Sequence, residues 1–132
     1  VRKFYNLLLN YIYKVDRMGG ETLRDALYEV KTIPGVISVM LVSRTGMFVE
    51  GDRMDRRSMD TFSAMAAIVL GASETATTEI EEKVRYVVLE LEKSKLVILG
   101  TGIRGVLIVR VKRDFNNVDA ILEASKGVGQ FI

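Results

Sequence analysis

The chain reads as an α/β protein of the α+β kind, built around a largely antiparallel sheet. Three observations predict this. Apolar runs of strand length, rich in Val, Ile and Leu, stand at 36–43, 47–51, 83–92, 95–101 and 105–112. Stretches with helical spacing of apolar residues lie before, between and after them. The turns RTG, EKSK and GIRG are too short to carry a crossover, so the strands they join run antiparallel. The resulting order is α, α, β, β, α, β, β, β, α.

Residues 1–15, VRKFYNLLLNYIYKV, predict an amphipathic helix with Phe4, Leu8, Tyr11, Ile12 and Val15 on one side. Asn6, Asn10 and Lys14 interrupt the apolar stretch. It is too short to span a bilayer, and no small-residue cleavage pattern follows it. Met18-Gly19-Gly20-Glu21 is the best break in the chain. It divides an N-terminal helix and hinge, 1–20, from a domain, 21–132.

Thr22 is placed to cap a second helix running to about Lys31, with Leu23, Ala26, Leu27 and Val30 as its buried stripe. Pro34 pushes Ile33 out of the helical region, and Gly35 supplies turn freedom. VISVMLVS and MFVEG then form a hairpin around Gly46. DRMDRR follows as a polar loop.

From Ser58 to about Thr77 the period becomes helical, with Met59, Phe62, Ala66, Val69 and Ser73 along one stripe. This helix is crowded with small residues, among them Ala64, Ala67, Ala72 and Ala76. Gly71 costs about 1 kcal/mol of helix propensity relative to Ala, which implies a packing reason for it. Three strands follow: KVRYVVLELE, KLVILGT and GVLIVRVK. The last segment, NNVDAILEASKGVGQFI, is a helix with Val118, Ile121 and Leu122 inward, ending near Gly127.

The 132 residues make one ordinary domain, 48% hydrophobic and 27% charged. The 19 basic and 17 acidic residues leave a net charge of +2, no footprint for a nucleic acid. The local clusters Arg53, Arg56, Arg57 and Arg110, Lys112, Arg113 read as solvated loop ends. The sequence has neither Cys nor His, which removes thiol nucleophiles, the usual zinc ligands and the commonest general base. The lack of Cys fits a reducing, cytoplasmic setting. Abundant Glu, Lys and Arg with a single Gln point to a heat-adapted source.

LVILGTGIRGVLIV, at 96–109, holds Gly100, Gly102 and Gly105 in the dinucleotide-binding spacing G-x-G-x-x-G. That fingerprint requires a strand leading into a helix, whose N-terminal amides receive the pyrophosphate. Here the run after Gly105 has strand character, so the glycines make a hairpin turn and no cofactor is expected. Ser43, Ser58 and Ser63 lack a His to activate them and a G-x-S-x-G elbow. Glu79, Glu81 and Glu82 beside Lys83 read as a solvated run. No catalytic or metal-ligating residue is predicted, and an enzyme is not expected.

The pattern as a whole resembles the roadblock/LC7 family. The residues that carry the resemblance are LRDALYEVKTIPGVISVMLVSRTGMFVEG, above all Pro34-Gly35-Val36 and Ser43-Arg44-Thr45-Gly46. A long Ala-rich helix, three strands with the turn GTGIRG, and a helix opening on Asn116 and Asn117 complete it. Thr45 departs mildly, since an Asp is commoner there. The resemblance covers about residues 21–129.

It implies a five-stranded antiparallel sheet in the order 2-1-5-4-3, two helices on one face and the long helix on the other, with the N-terminal helix as an addition. It also implies a homodimer or heterodimer, joined through the long helix and third strand. Members bind small Ras-like GTPases or serve as scaffolds, and some bacterial relatives stimulate their GTPase without inserting an arginine finger. The resemblance is to the prokaryotic GTPase-regulator branch.

Two physical features agree with self-pairing. The strand Val84–Leu91 carries no Pro and is an edge template. The small residues of the long helix permit close packing across a two-fold axis. The expected interface residues are Met59, Phe62, Ala66, Val69 and Ser73 on the helix, and Val84, Tyr86, Val88 and Leu91 on the edge. Arg53, Arg56 and Arg57 are the candidate GTPase contacts. The expected function is a noncatalytic dimeric regulator or scaffold, a candidate GTPase-activating protein, with no direct membrane insertion. The alternatives are an assembly subunit without nucleotide dependence and a small-molecule sensor. The N-terminal helix either docks a partner or folds back over apolar surface of its own domain or its second subunit.

Overall fold

Local chemistry starts each element. The computed structural model describes Lys3 and residues 22–132. The expected N-terminal helix, its apolar side and the Met18–Glu21 hinge lie outside the described residues. Thr22 opens α1 (Leu23–Lys31) with a reciprocal capping box: its hydroxyl accepts from the Asp25 amide, and the Asp25 carboxylate accepts from the Thr22 amide. Gly35, at φ 95°, turns the chain into β1 (Val36–Ser43). Gly46, at φ 90°, then returns it as β2 (Phe48–Gly51).

The long helix α2 (Arg56–Ala76) starts two residues before the expected Ser58, because Asp55 caps it by accepting from the Ser58 amide. A 3₁₀ turn (Thr78–Ile80) and Glu81, at φ 62°, lead the chain off the helix. The strand expected over 83–92 pairs only as β3 (Val87–Glu90). Residues 84–86 precede the ladder, and Val84 is spent against the long-helix side of the core. β4 (Ser94–Thr101), β5 (Gly105–Lys112) and α3 (Val118–Gly129) complete the chain.

All pairings are antiparallel, in the order β2-β1-β5-β4-β3. Because side chains alternate across a strand, the three central strands send apolar residues to both faces. Leu41, Val97, Leu107 and Val109 face α1 and α3, which contribute Val30 and Ile121 to the same core. Met40, Val42, Ile98 and Ile108 face α2, which contributes Met59, Ala66 and Leu70. The sheet therefore sits between a helix pair and one long helix that crosses all five strands.

The three glycines of the nucleotide-like motif serve this packing. Gly100 leaves room for the Arg44 guanidinium, whose Nη2 would lie 2.6 Å from an added Cβ. Gly102 holds φ 62° in the turn, and an added Cβ would sit 2.6 Å from the Gly129 carbonyl oxygen. Gly105 lies within β5 rather than at positive φ; it gives way to the Thr101 carbonyl and the Ile132 side chain. Thr101 also donates its hydroxyl to the Ser125 carbonyl at 2.7 Å, so the β4–β5 turn and α3 are locked together. The last helix passes the expected end at Gly127 and ends at Gly129, which lies against Gly102.

Candidate interaction surface

The long helix has two different apolar sides. Met59 and Ala66 are buried against its own sheet, and Phe62, Val69 and Ser73 lie half-buried beside them. Ser63 and Ala64 also face inward: Ser63 is buried with its hydroxyl 3.9 Å from the Met40 sulfur, and the Ala64 Cα would stand 2.9 Å from a Cβ at Gly46. The predicted helix stripe thus forms the intramolecular seam.

The outward side carries Thr61, Met65, Ile68 and Ala72, spaced by three or four residues and all exposed. Met65 is 51% and Ile68 58% exposed, large apolar side chains on the solvent side of a well-formed helix. Between them and the seam, a Cβ added at Gly71 would meet nothing within 4 Å among the described residues outside the helix's own backbone. The outward stripe is what sequence reasoning missed. Its signal was present, since Met65 and Ile68 fall off the Met59–Ala66 line, but the inward stripe satisfied the helical period first.

β3 is terminal in the sheet, so its outer backbone groups pair with no strand among the described residues. Of the expected edge residues, Val88 and Leu91 are exposed, whereas Tyr86 and Val84 are half-buried on opposite faces of the sheet. Arg85 reaches over the Tyr86 ring, 5.8 Å from its centroid, and pairs with Asp119 at 3.5 Å.

The three candidate arginines cluster at the start of α2. Arg53 lies over the Phe48 ring, 4.9 Å from its centroid. Arg56 and Arg57 open the helix, where the backbone dipole disfavours a positive charge by about 0.3–1 kcal/mol each. The first turn holds no acid to offset them. Asp55 before it stays ionised below the ordinary carboxylate range, because the Ser58 hydroxyl and amide bond to its charged form.

Beside the first turns of α2 the surface over the sheet is indented. A cavity of about 330 Å³ opens over the ends of the strands, with Met40, Leu96 and Ile108 as floor and Met54 and Phe62 as walls. Arg53 and Arg110 both line it, although they belong to separate clusters in the sequence. Asp52, at the same cavity, is already engaged by the Lys31 ammonium at 2.6 Å and the Val39 amide at 2.9 Å. Partial burial pushes the Asp52 carboxyl up, but the Lys31 and Val39 hydrogen bonds outweigh it and hold the pKa below the ordinary value. Among the described residues there is no cluster of acids able to hold a metal ion, and no helix long and apolar enough to cross a membrane.

This arrangement defines a class: a three-layer α/β/α domain with a core on each face of its sheet, whose long helix turns apolar side chains outward and whose edge strand is β3. The Roadblock/LC7 domain model matches residues 22–110, and the chain belongs to that family. Three solved structures are similar to it. A Roadblock/LC7 domain from Streptomyces avermitilis is 24% identical, with a TM-score of 0.67 over 82% of this chain and 90% of that one. The gliding protein MglB of Thermus thermophilus is 16% identical, with a TM-score of 0.68 over 82% and 86%. An MglB with a tetrameric arrangement is also 16% identical, with a TM-score of 0.69 over 82% and 85%. At these identities the likeness is one of fold. No curated protein matches the chain in sequence.

Proposed function

We propose that this protein is a noncatalytic regulator or scaffold that pairs with a second copy of itself and binds a Ras-like GTPase. The observation that carries the proposal is the outward stripe of α2, Met65 and Ile68, on the helix that leads to the unpaired edge of β3. An apolar helix face and an open strand edge are both stabilised by one symmetric partner, which covers the first and extends the second. The tetrameric arrangement of an MglB supports self-association as the mode. The seam residues Met59, Phe62, Ala66, Val69 and Ser73 support the interface from beneath, while Val84, Tyr86, Val88 and Leu91 set its strand side.

Arg53, Arg56 and Arg57 then form a cationic contact for the GTPase. Binding shifts the populations of the switch conformations by its differential affinity for them, and hydrolysis changes with those populations. No residue of this chain is required to enter the GTPase site. The chain acts in the cytoplasm, with residues 21–132 forming the functional unit.

The test is a titration against a Ras-like GTPase from the same organism, loaded with GTP analogue or with GDP. Tighter binding to one nucleotide state, weakened when Arg56 and Arg57 are changed to Glu, is the expected result. Equal binding in both states would make the protein an assembly subunit without nucleotide dependence. Absence of binding to any such GTPase would remove the GTPase half of the proposal.

A further inference from the structure

We propose that the cavity beside α2 is a docking site for an acidic segment of a partner protein that carries apolar side chains at its centre. This goes beyond the GTPase reading, with which it shares Arg53, and its test uses no GTPase. The antiparallel register places Ser38, Arg110 and Leu96 side by side, so these residues mark one end of the sheet. α2 passes this end at Phe62 and runs across the sheet to the other, where Arg44 pairs with Glu74 at 2.6 Å and Gly46 meets Ala64. The floor of the cleft, Met40, Leu96 and Ile108, is the buried edge of the core beneath α2, and Met54 and Leu91 are the exposed apolar side chains at its mouth.

The charge at this site is one-sided. Neither Arg53 nor Arg110 has a carboxylate within 4.0 Å among the described residues. Arg110 donates to the Ser94 hydroxyl, at 3.1 Å, and Arg53 covers the Phe48 ring. The nearby carboxylate, Asp52, is neutralised by Lys31. Two exposed guanidiniums flanking an apolar cleft match carboxylates flanking apolar side chains, since each guanidinium can hold a carboxylate with two parallel hydrogen bonds.

The size and lining favour a peptide over other anions. A volume of about 330 Å³ lies at the low end of ligand sites, room for one or two apolar side chains. Met40 and Met54 adapt their shape to what enters. A nucleic acid needs a longer phosphate track and open aromatic faces for stacking, and the aromatic residue here, Phe62, is half-buried.

The test is fluorescence anisotropy of the full chain with a fluorescein-labelled peptide, Leu-Phe-Leu flanked by two glutamates on each side. Its counterpart has lysines in place of the glutamates. Saturable binding of the acidic peptide is expected, with at least tenfold weaker binding of the lysine form. Arg110→Glu is expected to weaken it tenfold or more. Arg113→Glu makes the same charge change outside the cavity and is expected to leave it within twofold. Ile108→Ala, which enlarges the floor, is expected to weaken binding with the charges intact, its melting transition confirming a folded chain. No saturable binding, equal loss in the Arg110 and Arg113 variants, or equal competition by a single-stranded oligonucleotide or by phosphatidylserine vesicles would each overturn the proposal.

Discussion

The two faces of the sheet are finished to different degrees. On one, α1 and α3 lie side by side, and Val30, Leu107, Val109, Val111, Ile121 and Val128 are fully buried. On the other, a single helix crosses the strands, turns Met65 and Ile68 to solvent and leaves an open cleft at one end. Both faces draw on the same strands, because alternation gives each strand one set of side chains per face. The difference therefore lies in the helices. The face closed by a helix pair is more completely buried, and the face crossed by one helix keeps exposed apolar side chains.

Substitutions on the sealed face are expected to have the largest effect on folding. Leu107→Ala removes a fully buried side chain from the central strand and is expected to cost about 2–5 kcal/mol in chemical denaturation. A loss under about 1 kcal/mol would mean that this face is not the anchor of the fold. Gly102→Ala comes next. Its positive φ and the Gly129 carbonyl leave no place for a Cβ, and a loss of about 1–3 kcal/mol is expected. Because that contact locks α3, the variant is also expected to speed amide exchange in α3 more than in α2.

The Lys31–Asp52 pair, which joins α1 to the loop after β2, is expected to contribute less. Both side chains are more than a third exposed, so Asp52→Asn is expected to cost no more than about 1 kcal/mol at neutral pH. The folded pKa of Asp52 is lowered, so its contribution is complete above the unfolded carboxylate value and is lost as pH falls through the folded one. The stabilities of variant and parent are thus expected to converge on acidification below about pH 4.

The sealed face was largely legible in the sequence. Thr22 before an apolar stripe and Pro34-Gly35 after it bounded α1, and the strand character after Gly105 excluded a nucleotide loop. These signals are local, within one turn or one strand. The order of the strands came from a family resemblance, since pairing across the sheet leaves no mark in a single sequence. The partner-facing side was less legible. Asp55 read as loop because its capping role depends on the Ser58 amide, and β3 read long because apolar alternation continued beyond its ladder. Apolar residues on both sides of α2 hid the outward stripe behind the inward one. Arg53 and Arg110 stand 57 positions apart and come together only through the register of the sheet.

The outward stripe is also where folding and association separate. Ile68→Glu changes a side chain that touches mostly solvent, so folding stability is expected to stay within about 0.5 kcal/mol of the parent. The direct measurement is the solution mass of parent and variant by light scattering at micromolar concentration. The parent is expected at twice the chain mass or more, and Ile68→Glu as a folded monomer. A monomeric parent, or a variant that keeps the parent's mass, would contradict the claim that the single-helix face is built for association.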